Sequence, residues 1–206
     1  MGKLLYSASI SLDGFAAGPD QSIDNPLGVG GSALHGWMRE PANKEILEEE
    51  DNTGALLMGR NMFGGGPGPW GPDPWPGWWG PSPPFHLPVF VLTHHPRPPL
   101  ECEGGTTFTF VTGGAGEALE LAKDAAGGQD VQICGGATVA AQYLAAGQLD
   151  EVQLHLVPVF LGAGVRLFDA EALAEVTLEQ ISVVAGVGVT HLTYRDATAS
   201  APRARL

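Results

Sequence analysis

The sequence predicts an α/β fold built on a mostly parallel sheet, and three observations carry that expectation. Short apolar and β-branched runs alternate with helical stretches along most of the chain, as strands joined by crossover helices do. Glycine pairs sit where strands and helices meet, at Gly127–Gly128 and at Gly135–Gly136. The final stretch, VTLEQISVVAGVGVTHLTYRD, reads as two strands about a glycine turn, so an antiparallel hairpin closes one edge of the sheet. With 206 residues and 44% hydrophobic content, one domain over residues 1–195 can bury its own core, and residues 196–206 read as a flexible C-terminal tail.

Taken in order, residues 3–11 alternate as a first strand, and SLDGFAAGPDQSIDNPLGVGG is a long loop of glycine, aspartate and proline. ANKEILEEEDN reads as a helix with Ile46 and Leu47 on an otherwise charged face, where Glu45 and Glu48 are solvated. GALLMG is a short buried strand running into RNMF. Residues 64–85 (GGGPGPWGPDPWPGWWGPSPPF) can form neither helix nor ladder, because proline removes donors and glycine removes rigidity. PVFVLTHHP and TFTFV are strands, and GAGEALELAKDAAGG is a helix ended by its glycines. DVQIC leads into the glycine pair and the helix ATVAAQYLAAG. In DEVQLHLVPVF, Val152, Leu154 and Leu156 share one face, and Gln153 and His155 the other.

A formal charge of −13 excludes a phosphate backbone as partner, since nucleic acid needs a basic surface. Cys102 and Cys134 form no CxxC, so the expected setting is a reducing cytoplasm. No window is apolar for long enough to span a bilayer, and MGKLLYSASISLDG reads as a strand, not a signal. The GxGxxG, GxxxxGK[ST] and GxSxG motifs are absent. No metal is expected: His94 and His95 are neighbours on a strand end and point to opposite faces.

In open α/β sheets, ligands sit at the carboxyl ends of strands where the strand order reverses. That rule selects SISLDGFAAG, MGRNMF, LTHHPR and CGGATV. The glycine pair of QICGGATVAAQYLAAG has two readings, a tight strand-to-helix turn or a phosphate cradle made of bare main chain and helical N–H groups.

SISLDGFAAGP, LLMGRNMF, PVFVLTHHPR and ICGGATVAAQYLAAGQLDEVQLHLVPVFLGAGVRLF occur in the order and spacing of the dihydrofolate-reductase-like superfamily. The chain resembles that superfamily from about residue 3 to residue 195. Within it, the chain looks most like stand-alone relatives of the reductase domain of the bifunctional riboflavin-biosynthesis deaminase/reductase. The resemblance implies a three-layer dihydrofolate-reductase-like fold and an NADPH-dependent reductase. Carried over residue by residue, it assigns Gly59 and Arg60 to the phosphate and adenosine half of the cofactor, and Thr93 and His94 to the ribose and its 2′-phosphate. Gly135, Gly136, Ala137, Thr138 and Val139 fall at the pyrophosphate cradle, and dihydrofolate reductases join the equivalent glycines by a cis peptide. The main chain at Ser9 and Ala17 matches the part that cups the nicotinamide. Arg97, with His95, adds charge beside the 2′-phosphate; a surface arginine and a solvated histidine pair are the alternatives for Arg60 and for His94 and His95.

The catalytic half is less defined by the sequence. Glu40 lies near the position where folate enzymes carry a carboxylate, without their flanking pattern. Asp13 is a second carboxylate, with an Asx turn as its structural alternative. Trp70, Trp75, Trp78 and Trp79 act as a cap, a substrate-pocket wall or a subunit contact, and Trp37 completes that wall or belongs to the core. Arg166 offers an anion contact in PVFLGAGVRLF. Few basic residues remain for a phosphorylated substrate, and the riboflavin enzyme's zinc deaminase domain is not in this sequence. The expected activity is hydride transfer to a C=N or C=C bond of a small pterin- or pyrimidine-like substrate by a homodimer. The alternatives are a non-catalytic pyridine-nucleotide-binding module and a protein-binding scaffold that uses the tryptophan-rich loop.

Overall fold

The computed structural model describes residues 2–44, 52–66, 68–73, 75–168 and 173–197. Its strands are β1 (Leu4–Ser11), β2 (Phe15–Ala17), β3 (Thr53–Gly59), β4 (Pro88–Leu92), β5 (Leu100–Glu101) and β6 (Thr107–Val111). They continue with β7 (Asp130–Ile133), β8 (Glu151–Val157), β9 (Val165–Arg166), β10 (Leu178–Gly186) and β11 (Val189–Asp196). The α-helices are α1 (Arg60–Phe63), α2 (Gly114–Ala126) and α3 (Ala137–Ala145), and a 3-10 helix covers Gly31–Arg39.

One sheet runs β10-β11-β8-β1-β7-β3-β4-β6-β5, and β2 pairs separately with β9. From β8 to β6 every neighbouring pair is parallel, while β5, β11 and β10 are antiparallel. The chain builds outward from β3 to β4 and β6, then returns to insert β7 between β1 and β3 and sets β8 on the far side of β1. Crossovers therefore leave β1 and β7 in opposite directions, which opens a crevice at their carboxyl ends.

Alternation in the buried strands sorts side chains between two faces. Leu4, Tyr6, Ala55, Leu57 and Phe90 meet α2 and α3 on one face. Leu56, Met58, Val89, Val91, Phe108 and Phe110 lie on the other, covered by Phe63 and by Trp70, Trp75 and Trp79. The proline- and glycine-rich loop thus supplies with aromatic rings the layer that a helix would otherwise give. Each fully buried Leu or Phe contributes about 1.5–3 kcal/mol of apolar transfer. At the other end of that face, Leu34 and Trp37 of the 3-10 helix pack on Val157 and Val189.

The alternation of α and β predicted from sequence holds, including Gly127 at φ 60° ending α2. The predicted helix ANKEILEEEDN is described only at its margins: Pro41–Asn43 forms a 3-10 turn, and residues 45–51 lie outside the described residues. Asp196, assigned to a tail, instead ends β11, and residues 198–206 lie outside the described residues.

Candidate functional site

The carboxyl ends of β3 and β7 are tied to each other. Cys134 N–H donates to Leu57 O at 2.9 Å and Gly59 N–H donates to Gly135 O at 3.1 Å. This contact needs bare main chain. A methyl group on Gly59 would come within 2.9 Å of Val139 Cγ2, and one on Gly135 within 2.7 Å of Met62 Sδ. Gly135 has φ 151°, which L side chains rarely adopt. On Gly136 a methyl group would meet nothing within 4 Å, so that side is open. Gly136 also begins α3 with no side-chain cap, so the first N–H groups of the helix face outward without one. Cis peptides are absent among the described residues, so the Gly135–Gly136 bond is trans, unlike the cis bond that the resemblance to dihydrofolate reductases suggests.

Arg60 follows Gly59 directly and opens α1. Its Nε donates to Gly64 O, and its Nη2 donates to Gly65 O and Gly66 O at 3.3 and 3.0 Å. Its Nη1 is buried without a partner. The guanidinium lies over the Trp70 ring, 3.0 Å from its centre, and Arg97 lies 4.6 Å from the same ring. Arg97 Nη1 donates to Trp75 O, and Trp70 Nε1 donates to His95 O. Among the described residues neither guanidinium has a carboxylate partner. Burial, and then the Arg97 charge, push the Arg60 pKa down. Thr93 is buried at the end of β4, His94 is exposed and His95 half-buried.

Asp13 does not have the chemistry of a proton donor. Its Oδ1 accepts from Ser11 Oγ at 2.6 Å and from Leu161 N–H at 3.1 Å, and its Oδ2 accepts from Gly162 N–H at 2.7 Å. The Ser11 hydroxyl first, then these main-chain donors, hold its pKa down to about 2. The carboxylate is an anchor that joins the end of β1 to the loop after β8. Glu40 is exposed at the C-terminal cap of the 3-10 helix. Ser9 is buried, and its hydroxyl accepts from Trp37 Nε1 at 3.0 Å.

Trp37 leaves the pocket wall assigned to it and belongs to the core. It is 3% exposed and sits over His155 and His191, with ring centres 4.7 and 5.0 Å away. Ser9, His155 and His191 form one row across β1, β8 and β11. His155 Nδ1 and His191 Nδ1 are hydrogen-bonded at 2.7 Å, one ring donating and the other accepting, and His155 Nε2 meets Ser7 Oγ at 2.8 Å. Burial, and then the neighbouring His191 and His35, push His155 down to about 4. Trp70, Trp75 and Trp79 likewise face inward on the second core cluster, as a cap, and Trp78 packs at 4.9 Å against Trp75.

A groove of about 370 Å³ is lined by Ala137, Thr138 and Ala141 of α3 and by Val165, Arg166 and Leu167. The structure therefore brings Arg166 to the start of α3, next to two of the residues assigned to the pyrophosphate. It separates Trp37 from the other tryptophans.

The family model of the RibD C-terminal domain matches residues 2–192. The chain belongs to that family. The structure of dihydrofolate reductase from Enterococcus faecalis, complexed with NADP(H), superposes with a TM-score of 0.60 at 17% identity, covering 95% of this chain and 97% of that one. Acinetobacter baumannii RibD gives 0.60 at 18% identity over 96% of this chain, which spans 58% of that protein. The riboflavin biosynthesis reductase of Saccharomyces cerevisiae gives 0.59 at 16% identity, covering 95% and 90%. No curated protein matches the chain. The fold is dihydrofolate-reductase-like, and membership of the RibD C-terminal domain family supports an oxidoreductase of the riboflavin-biosynthesis reductase type. No helix among the described residues is long and apolar enough to cross a membrane.

Two features of the site are not written locally in the sequence. The Ser7–His155–His191 network depends on strand order: three polar residues on separate strands show no local pattern. For Asp13 the sequence suggested an Asx turn within SLDG, but the N–H of Phe15 goes to Ser11 Oγ and the carboxylate bonds elsewhere. What the sequence hid was the partner loop, nearly 150 residues away.

Proposed function

We propose that the chain is an NADPH-dependent reductase that delivers hydride to a C=N or C=C bond of a small pterin- or pyrimidine-like heterocycle. One observation carries this reading. Bare main chain at Gly135 and Gly136, locked to Gly59, lies beside an uncapped helix and two arginines that have no carboxylate partner among the described residues. In a chain of net charge −13, that arrangement suits an anion with several phosphate groups.

In this reading Gly135, Gly136, Ala137, Thr138 and Val139 take the pyrophosphate. Gly59, Arg60, Thr93, His94 and Arg97 take the adenosine ribose and its 2′-phosphate, and the main chain at Ser9 and Ala17 cups the nicotinamide. The bound nucleotide supplies the hydride, and the protein holds the reacting faces together. Asp13 is committed to the Leu161–Gly162 loop, so the proton for a reduced nitrogen comes from solvent. Arg166 contributes an anion contact from its groove. Among the described residues the β10 strand has an unpaired edge with Ile181, Val183 and Val184 exposed, and this edge joins two copies into a homodimer. A reducing cytoplasm suits the free thiols of Cys102 and Cys134.

The exposed Glu40 and the engaged Asp13 favour one second reading, a nucleotide-binding module without turnover. Titration with NADPH, followed by a panel of pterins, pyrimidinones and imines monitored for NADPH oxidation, separates the two. Oxidation with any member supports the reductase; tight binding with no oxidation across the panel supports the module. Absence of binding by folded protein overturns both.

A further inference from the structure

Arg60 has no free edge. Its Nε and Nη2 are spent on the carbonyls of Gly64, Gly65 and Gly66, its Nη1 is buried, and one face of the guanidinium is covered by Trp70. A phosphate therefore cannot reach it in this arrangement without displacing something. The displaceable group is the glycine run: Gly64, Gly65 and Gly66 all have positive φ, and the three carbonyls are neutral acceptors that a phosphate dianion outcompetes for a guanidinium. Trp70 is held by its Nε1 bond to His95 O and by two cations, Arg60 and Arg97, on its ring.

We infer that Gly64, Gly65, Gly66 and Trp70 form a self-occluding latch on the arginine end of the cofactor site, opened by a ribose 2′-phosphate and not by dinucleotides that lack it. The inference rests on the proposed cofactor assignment and adds a regulation to it. The latch makes carbonyls and an indole stand in for the phosphate while the site is empty. It keeps two like charges neutralised in part, at close quarters, in a chain short of counter-ions there. It also makes the phosphate decisive, because only a ligand that replaces the lost contacts recovers the cost of opening.

The test labels the protein with 5-fluorotryptophan and assigns the Trp70 resonance with Trp70→Phe. Adenosine 2′-monophosphate and NADPH should move the Trp70 signal, while adenosine 5′-monophosphate and NADH leave it in place. Trp70→Phe loses the bond to His95 and Trp70→Ala loses the ring. Each should bind NADPH about threefold to tenfold more tightly, the range a cation–π contact commands, with NADH affinity unchanged. If NADPH binds the wild type without moving Trp70, or both variants bind it no more tightly, the latch is wrong and the cofactor assignment stands. If folded wild-type protein binds no NADPH, the assignment fails and the latch falls with it. Thermal unfolding of the two variants is recorded alongside, and Trp70→Phe, which keeps most of the ring's packing, is read if Trp70→Ala does not fold.

Discussion

Two indoles close the same face of the sheet, at opposite ends, on different chemistry. Trp37 lies over His155 and His191, which are neutral when buried, and its N–H finds a serine hydroxyl below it. Trp70 lies over Arg60 and Arg97, which stay charged in any protein environment, and its N–H finds a main-chain carbonyl. Imidazoles can surrender charge to suit a dry site, so that end is sealed. Guanidiniums cannot, so the other end holds its cations half-buried against loop carbonyls, with Arg60 Nη1 left unpaired, and in the proposed function a ligand replaces those carbonyls. Sealing at one end, and the binding proposed at the other, thus follow from the pKa of the partner, with an aromatic lid on both.

The largest expected effect tests the seal. Trp37→Ala empties a site that is 3% exposed and strands the Ser9 hydroxyl, so it should cost about 3–5 kcal/mol in urea-induced unfolding. Trp70→Ala, from a half-buried ring at the loop surface, should cost less than half of that. Equal losses at the two positions would erase the distinction between a core indole and a lid.

The second effect concerns pH. His155 titrates near 4 in the folded protein and near 6.5 in an unfolded chain. Between those values the unfolded chain binds a proton that the folded one refuses. Stability therefore falls as pH drops from about 6.5 to about 4, by about 1–3 kcal/mol, and is flat in this respect above 6.5. His191, also shifted down by burial, acts in the same direction. His155→Gln removes the titration while keeping hydrogen-bonding capacity. Its stability should lose most of that acid slope, measured by thermal unfolding across the window. A slope unchanged in the variant would place the acid sensitivity elsewhere.

The difference between the two ends also explains what the sequence could show. Strands such as GALLMG and PVFVL, and the glycine pair before α3, announce themselves locally, because periodicity and main-chain demands are written within a few residues. The Trp70 cap was half legible: four tryptophans in a proline-rich loop must bury their rings somewhere, but the loop gives no sign that Arg60 would be its anchor. The Trp37 seal was hidden. It needs β1, β8 and β11 to be neighbours in register, and Ser9, His155 and His191 are scattered over more than 180 residues. Asp13 was misleading as an acid, since two of its three donors are the main-chain N–H groups of Leu161 and Gly162, far away in sequence.

The smallest effect sharpens the binding end. Arg60→Ala removes a cation that contributes little to the fold, since its bonds run to loop carbonyls near the surface. It should weaken NADPH binding about tenfold, the share of one charge-assisted contact, and leave NADH binding within about twofold. Arg60→Lys keeps the charge but not the planar fork, and should recover only part of the loss. Were both variants to bind the two dinucleotides as the wild type does, Arg60 would be a clasp for the tryptophan loop and nothing more. The two indoles would then differ in exposure but not in purpose.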